Sequence, residues 1–103
     1  MVVTGGAWTF LTNHAHVLLC IADDPDIRLR DIATRVGITE RAAQKIVADL
    51  STDGYVSVTR MGRRNQYRII SGKRFRHPLE SQHEVSELLD LFADDDAHSA
   101  GNA

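Results

Sequence analysis

The sequence predicts a mainly α-helical domain with one small β-hairpin. Apolar residues recur at helical spacing in several segments, most clearly over residues 29–50, and alternating residues around a glycine turn follow at 55–70. For 103 residues, 43% of them hydrophobic and 25% charged, one globular domain is expected. The predicted divisions are an N-terminal arm at 1–11, a helix-and-hairpin domain at 12–77, a C-terminal helix at 78–92 and a disordered acidic tail at 93–103.

The first predicted helix covers the segment TNHAHVLLCIA, residues 12–22. Thr12 or Asn13 is suited to cap its first turn, and the Asp-Asp-Pro run at 23–25 ends it. Cys20, the only cysteine, lies in this apolar run and is predicted to be an inert core thiol rather than a redox sensor. The helix is expected to bury a stripe made of Ala15, Leu18, Leu19 and Ala22.

Two further helices, joined by a glycine, are predicted over residues 29–50. Gly37 can adopt the positive φ that ends the first of them, and the Thr39 hydroxyl can cap the second. Two short helices in this tight succession are typical of a helix-turn-helix. Each has apolar residues at i, i+3, i+4 and i+7: Leu29, Ile32, Ala33 and Val36 in the first, and Ala43, Ile46, Val47 and Leu50 in the second.

The second of these helices is polar on the face opposite its apolar stripe. Arg41, Lys45 and Ala48 lie directly opposite the stripe. Ala42 and Gln44 lie at its flanks. Arginine and lysine donate to guanine or phosphate, glutamine pairs with adenine, and a small alanine allows close approach. This face suits the major groove of DNA, although any solvated amphipathic helix has a similar one.

A basic hairpin is predicted directly after this helix. Gly54 ends the helix, and two segments of alternating residues follow at Tyr55–Arg60 and Gln66–Ile70. The segment between them, Met61–Asn65, supplies Gly and Asn for a turn. Arginines gathered at such a tip repel one another unless an anion lies among them, and three are present: Arg60, Arg63 and Arg64.

The charges of the chain are strongly segregated. All twelve Lys and Arg residues lie within residues 28–76, a span with only four acids and therefore a formal charge of +8. The other ten acids lie outside this span, where there is no Lys or Arg, and give −10. The net charge of −2 thus conceals a positive face of the kind that binds phosphate.

The order helix, helix, helix, hairpin, helix over residues 12–92 resembles the winged helix-turn-helix of bacterial transcription regulators, in which the hairpin is the wing. The signature Leu50-x-x-x-Gly54-Tyr55-Val56 and the hairpin sequence GRRNQYR look like those of the MarR-like and ArsR-like groups. The resemblance implies a DNA-binding regulator, usually dimeric, with 12–77 as its DNA-binding domain. The chain lacks the cysteine cluster of ArsR-like metal sensors, and its length leaves little room for a MarR-like ligand pocket.

The C-terminal region is predicted to form an acidic amphipathic helix from Pro78 to Phe92. The segment after it, ADDDAHSAGNA, is acidic and rich in small residues, and is predicted to be disordered. Trp8 and Phe10 of the N-terminal arm are predicted to dock on the domain or on a second copy. The apolar stripe of the C-terminal helix is assigned to a homodimer contact rather than to the chain's own core: Val85, Leu88, Leu89 and Phe92.

Together these patterns predict a sequence-specific regulator that binds double-stranded DNA as a homodimer. The recognition helix and the wing supply the predicted contacts: Thr39, Arg41, Ala42, Gln44, Lys45, Arg60, Arg63, Arg64 and Asn65. The wing is assigned to the DNA backbone or to the minor groove. Two alternatives stay open, namely a winged-helix module that docks a protein partner and an RNA-binding domain that uses the same basic face.

The sequence has no catalytic or metal-binding motif, since it lacks a Gly-rich phosphate loop, a His-Glu-x-x-His and a nucleophile elbow. We therefore expect a protein that is not an enzyme and that needs no cofactor or metal. No apolar run is long enough for a membrane span and the N-terminus lacks the basic start of a signal peptide, so a cytoplasmic location is expected. The patterns do not encode the operator, the target genes, the sign of regulation or any small-molecule effector.

Overall fold

The computed structural model describes residues 8–102, with side chains described as far as Ala93; residues 1–7 of the predicted arm and Ala103 lie outside the described residues. Over this range the order of elements is the predicted one, a winged helix-turn-helix in which a two-stranded hairpin is the wing. No helix within it is both long and apolar enough to cross a membrane. The elements are α1 (Asn13–Asp23), α2 (Leu29–Val36), α3 (Glu40–Thr52), β1 (Val56–Met61), β2 (Arg64–Ile69) and α4 (Val85–Asn102).

The buried core lies where the helices and the wing meet. The predicted stripe of α3 is entirely buried, and that of α2 is buried at its centre, at Ile32 and Ala33. Because α1 is apolar on most sides and contacts α2, α3, α4 and β2, its residue spacing does not determine which face turns inward. Ala22, predicted to be buried, is exposed. Leu18 is buried as predicted, and Ala15 and Leu19 are half-buried. The other buried residues of α1 are Val17, Cys20 and Ile21.

The turns around α3 have the predicted geometry. The Thr39 hydroxyl accepts a hydrogen bond from a backbone amide in the first turn of α3 at 3.0 Å, which caps the helix. Gly37 ends α2 with φ +86°, in the left-handed region that glycine adopts without steric strain. After α3, Gly54 has φ +82° and the Tyr55 amide donates to the Leu50 carbonyl at 2.8 Å. The connection between α3 and β1 is therefore short and is held by a backbone hydrogen bond.

The turn of the wing is shorter than predicted. β1 and β2 pair antiparallel along their whole length, so only Gly62 and Arg63 form the turn. Two-residue turns with glycine in the first position match the twist of paired strands, and Gly62 has the required positive φ, +64°. Three residues that the sequence places in the tip therefore lie within the strands: Met61, Arg64 and Asn65.

The C-terminal helix begins and ends later than predicted. The segment 73–84 folds back on itself, and the Val85 amide donates to the Lys73 carbonyl at 2.8 Å. This arrangement uses backbone groups that a helix starting at Pro78 needs for itself, so α4 starts at Val85. At the other end α4 continues to Asn102, through the segment predicted to be disordered, because a nucleated helix propagates at little cost.

α4 packs on α1 and completes the core. Val85 and Leu89 are buried in the chain's own core, although the sequence assigns both to a dimer contact. The reason is that α4 turns this edge of its stripe toward α1. Leu88 and Phe92 are half-buried and Leu91 is 60% exposed, so these three side chains remain available to a partner.

Candidate nucleic-acid interface

The outer face of α3 carries the predicted recognition residues into solvent. Arg41, Gln44 and Lys45 are exposed, and Ala42 is half-buried at the edge of the core stripe. The opposite face of α3 is buried and α3 packs on α1, α2 and β1, so the outer face has a fixed orientation. The first two turns of α3 thus present two basic side chains, an amide and a small side chain on one surface.

Lys45 is held by a carboxylate of the same helix. Lys45 Nζ lies 2.8 Å from Asp49 Oδ1, and His14 Nε2 of α1 lies 2.9 Å from Asp49 Oδ2. The hydrogen bonds from Lys45 and from His14 hold the pKa of Asp49 below the usual aspartate value. Any anionic ligand of Lys45 must therefore compete with Asp49. The i,i+4 spacing of the pair indicates this contact in the sequence, whereas nothing local indicates the partner on α1.

The wing is attached to the loop between α1 and α2. The Tyr67 amide donates to the Pro25 carbonyl at 2.9 Å. Arg64 Nη2 donates to the Asp26 carbonyl at 2.6 Å, and Gln66 Nε2 donates to Asp26 Oδ1 at 3.1 Å. These three bonds, which we call the wing strap, join β2 to the body of the domain. One nitrogen of the Arg64 guanidinium group is therefore bonded within the chain, and only its other nitrogens can donate to a ligand.

A basic groove lies between the wing and the starts of α2 and α3. Among its lining residues are three of the predicted wing residues, Arg63, Arg64 and Asn65, together with Glu40 of the first turn of α3; Arg60 is not among them. Arg28 and Arg30, which the sequence marks only as members of the +8 span, join them there. We call this the arginine groove; its charged lining residues are Arg28, Arg30, Arg63, Arg64 and Glu40.

Most of the lysine and arginine side chains have no acidic partner among the described side chains. Within residues 8–93, three of the twelve Lys and Arg side chains lie within ion-pair distance of a carboxylate. The other nine, including all four arginines of the groove, form no such pair with a described acid. The three ion pairs are Arg35–Asp23, Lys45–Asp49 and Arg76–Asp53.

The basic side chains that follow the wing make contacts within the domain. Lys73 Nζ lies 5.3 Å from the centroid of the Tyr55 ring, a cation–π contact. Arg74 Nη1 donates to the carbonyls of residues 81 and 82, and Arg76 pairs with a carboxylate at the end of α3. These contacts tie the folded-back segment 73–84 to the rest of the domain.

A cavity of about 890 Å³ lies between α1, the end of α3, the segment 73–84 and α4. The length of the chain suggests little room for a pocket, but the folded-back segment supplies a wall that the sequence pattern does not reveal. Among the described residues, no group of three or more His, Cys, Asp and Glu side chains is placed to hold a metal ion. The apolar part of the cavity lining is Ala15, Leu18, Leu50, Phe75, Val85 and Leu88.

Comparison with known proteins agrees with this architecture. Residues 12–57, a little under half of the chain, match a family model described as winged helix-turn-helix DNA-binding. The fold is similar to that of a ZitR mutant from Lactococcus lactis, with a TM-score of 0.58 and 12% identity over 99% of this chain. The chain spans 63% of the length of that protein. No curated protein matches the chain.

Proposed function

We propose that the protein is a transcription regulator that binds double-stranded DNA at specific sequences. The observation that carries the proposal is the juxtaposition of the exposed polar face of α3, the wing and the arginine groove, where the bases lack acidic partners. The family match over residues 12–57 supports DNA binding. The proposal includes a MarR-like or ArsR-like kind of regulator, located in the cytoplasm, without enzymatic activity and without a cofactor or metal.

In this proposal α3 is the recognition helix and lies in the major groove. Thr39 lies beside a phosphate, next to the amides that begin the helix. The base edges are contacted from the first two turns of the helix, by Arg41, Ala42, Gln44 and Lys45. The wing contacts the DNA on the flank through Arg60, Arg63, Arg64 and Asn65.

The test is selection of binding sites from random duplex DNA with the full chain. A palindromic consensus is expected, because two copies of one recognition helix read two half-sites. Arg41→Ala should change the selected sequence, at a cost of about 1–3 kcal/mol for the lost base contact. Arg63→Ala should weaken binding to all sequences alike. Absence of any consensus, or preference for RNA in direct competition, would contradict the proposal.

We also propose that the regulator acts as a homodimer. Trp8 and Phe10 pack edge-to-face with ring centroids 5.1 Å apart, yet they are 69% and 93% exposed, so they hardly cover the domain itself. The outer edge of α4 adds Leu88, Leu91 and Phe92. The exposed side chains Trp8, Phe10 and Leu91, with the half-buried Leu88 and Phe92, favour a protein partner, and a second copy supplies the symmetry that a palindrome needs.

The mass in solution at micromolar concentration tests the dimer. The unmodified chain is expected to have twice the mass of one copy, and Leu91→Lys is expected to halve it by placing a charge in the apolar contact. Met61→Lys is the matched control, because Met61 is similarly exposed but lies on the wing. A monomeric mass for the unmodified chain would contradict the dimer while leaving DNA binding untouched.

A further inference from the structure

We infer that the arginine groove binds a phosphate of the DNA backbone, so that α2 and the wing hold the same stretch of one strand. The inference rests on the proposed DNA binding and deepens it in two respects. It adds Arg28 and Arg30 to the interface, and it assigns Arg63 of the wing to the backbone rather than to the minor groove.

The groove carries a net positive charge, with four arginines and one carboxylate among its lining residues. Four guanidinium groups line it, and Glu40, the one carboxylate among the lining residues, forms no ion pair with a described base. Within residues 8–93, no hydrogen bond involves the side chain of Arg28, Arg30 or Arg63. Like charges in one groove repel one another, and an anion between them removes that repulsion. The groove therefore suits an anion, and on bound DNA that anion is a backbone phosphate.

The start of α2 adds free amides to the same groove. Arg28 is the N-cap residue of α2, and its side chain makes no capping hydrogen bond. The bonds to its carbonyl come from Asp31 and Ile32, so the first amides of the helix, at Leu29 and Arg30, find no acceptor within the described chain. Amides at a helix start that lack a cap are donors that a phosphate oxygen accepts.

The wing strap fixes the tip of the wing beside these donors. β2 is bonded to Pro25 and Asp26, directly before the loop residue Ile27 and α2. The turn that carries Arg63 is therefore held beside α2 instead of projecting away from it. Arg64, which donates to the Asp26 carbonyl, is a positioning residue in this arrangement and completes the wall of the groove.

The first test measures affinity for the selected duplex over a range of salt concentrations. Arg28→Ala, Arg30→Ala and Arg63→Ala should each weaken binding about tenfold, as expected for loss of a charged hydrogen bond. Each should also reduce the magnitude of the salt slope by about 1 per monomer. Arg68→Ala is the matched control, because it removes the same charge from an exposed site on β2 outside the groove, and circular dichroism verifies folding.

The outcomes separate the inference from the function on which it rests. If Arg28→Ala and Arg30→Ala behave like Arg68→Ala while Arg63→Ala keeps its effect, the groove does not hold the backbone and the inference is overturned, although the protein remains a DNA binder. If the unmodified chain binds no duplex, the proposed function itself fails.

A second test distinguishes the backbone from the minor groove. Replacing guanine by inosine removes the amino group of the minor groove and leaves every phosphate in place, so the effect of Arg63→Ala should be unchanged. Replacing one phosphate at a time by an uncharged methylphosphonate should identify one position where Arg30→Ala and Arg63→Ala both lose their effect. A larger Arg63→Ala effect in inosine DNA, where a minor-groove arginine gains access to acceptors that the guanine amino group obstructs, or different positions for the two residues, would overturn the inference.

Discussion

Asp49 restrains a side chain that the proposed function requires on the DNA. It lies one helical turn after Lys45 and accepts a hydrogen bond from it, and His14 of α1 occupies its other oxygen. Binding of Lys45 to a base or phosphate therefore exchanges one anionic partner for another. The energy gained by that contact is smaller than the contact alone suggests, because the bond to Asp49 is lost.

The Asp49 carboxyl group provides a direct test of this contact. Lys45→Ala should raise the pKa of Asp49 toward the usual aspartate value, and His14→Ala should raise it less, in keeping with the order of the two hydrogen bonds. Because the pKa is depressed in the folded chain, the contact is complete above the usual carboxyl pKa and is lost as pH falls through the depressed one. NMR titration measures the pKa of Asp49 in both variants. An unchanged pKa of Asp49 in Lys45→Ala would contradict the contact.

The N-cap of the recognition helix makes a separate prediction. Thr39→Ala should reduce the free energy of unfolding by about 1 kcal/mol, because an amide in the first turn of α3 loses its acceptor. Thr39→Ser should keep the cap. Thr34→Ala is the control, since the Thr34 hydroxyl bonds to a carbonyl inside α2 and caps nothing. Thermal unfolding measures all three, and equal stability of Thr39→Ala and Thr34→Ala would contradict the prediction.

At the scale of elements, the wing depends on its strap. A two-stranded hairpin alone is marginally stable, so its position relative to α3 must come from other bonds. Gln66→Ala should accelerate hydrogen exchange of the Tyr67 amide, which donates to the Pro25 carbonyl beside it. Thr59→Ala, at the position paired with Gln66 on β1, should leave that exchange unchanged. Equal exchange in the two variants would show that the side chain of Gln66 does not hold the wing.

The inner edge of α4 makes the second prediction at this scale. Leu89→Ala should destabilise the fold by about 2–5 kcal/mol, because Leu89 is buried against the core and the truncation leaves a cavity. Leu79→Ala, at a leucine that is 90% exposed, should change stability by no more than about 0.5 kcal/mol. Denaturant unfolding gives both values. A small loss for Leu89→Ala would mean that α4 does not complete the core.

Local patterns were sufficient to predict the elements but not how they are joined. The stripe of α3, the cap at Thr39 and the glycine at 37 depend on neighbours within one or two turns, and all are confirmed. Cys20 is buried, as expected, and burial raises the pKa of its thiol. The inward face of α1 and the start of α4 depend on bonds between distant segments. The arginine groove also depends on bonds between distant segments. For this reason the spacing of residues along the chain could not identify Arg28 as part of the site.

For the whole molecule, the distribution of charge matters more than its sum. Although the net charge is −2, the +8 span contains α3, the wing and the arginine groove. If each monomer neutralises about four phosphates, the logarithm of the binding constant should fall with the logarithm of salt concentration with a slope of roughly −7 for a dimer. A salt titration with the selected duplex measures the slope, and a value near zero would contradict phosphate binding.

The junction at Gly54 and the wing strap together close a ring of elements, from α2 through α3 and the hairpin back to the loop before α2. In a closed ring, the helix and the wing tip do not adjust their separation independently. In the proposed complex, the duplex must therefore match this fixed separation by bending or by changing the width of its grooves, and the elastic energy of that deformation depends on base sequence. Sequence preference is accordingly expected at base pairs that no side chain touches.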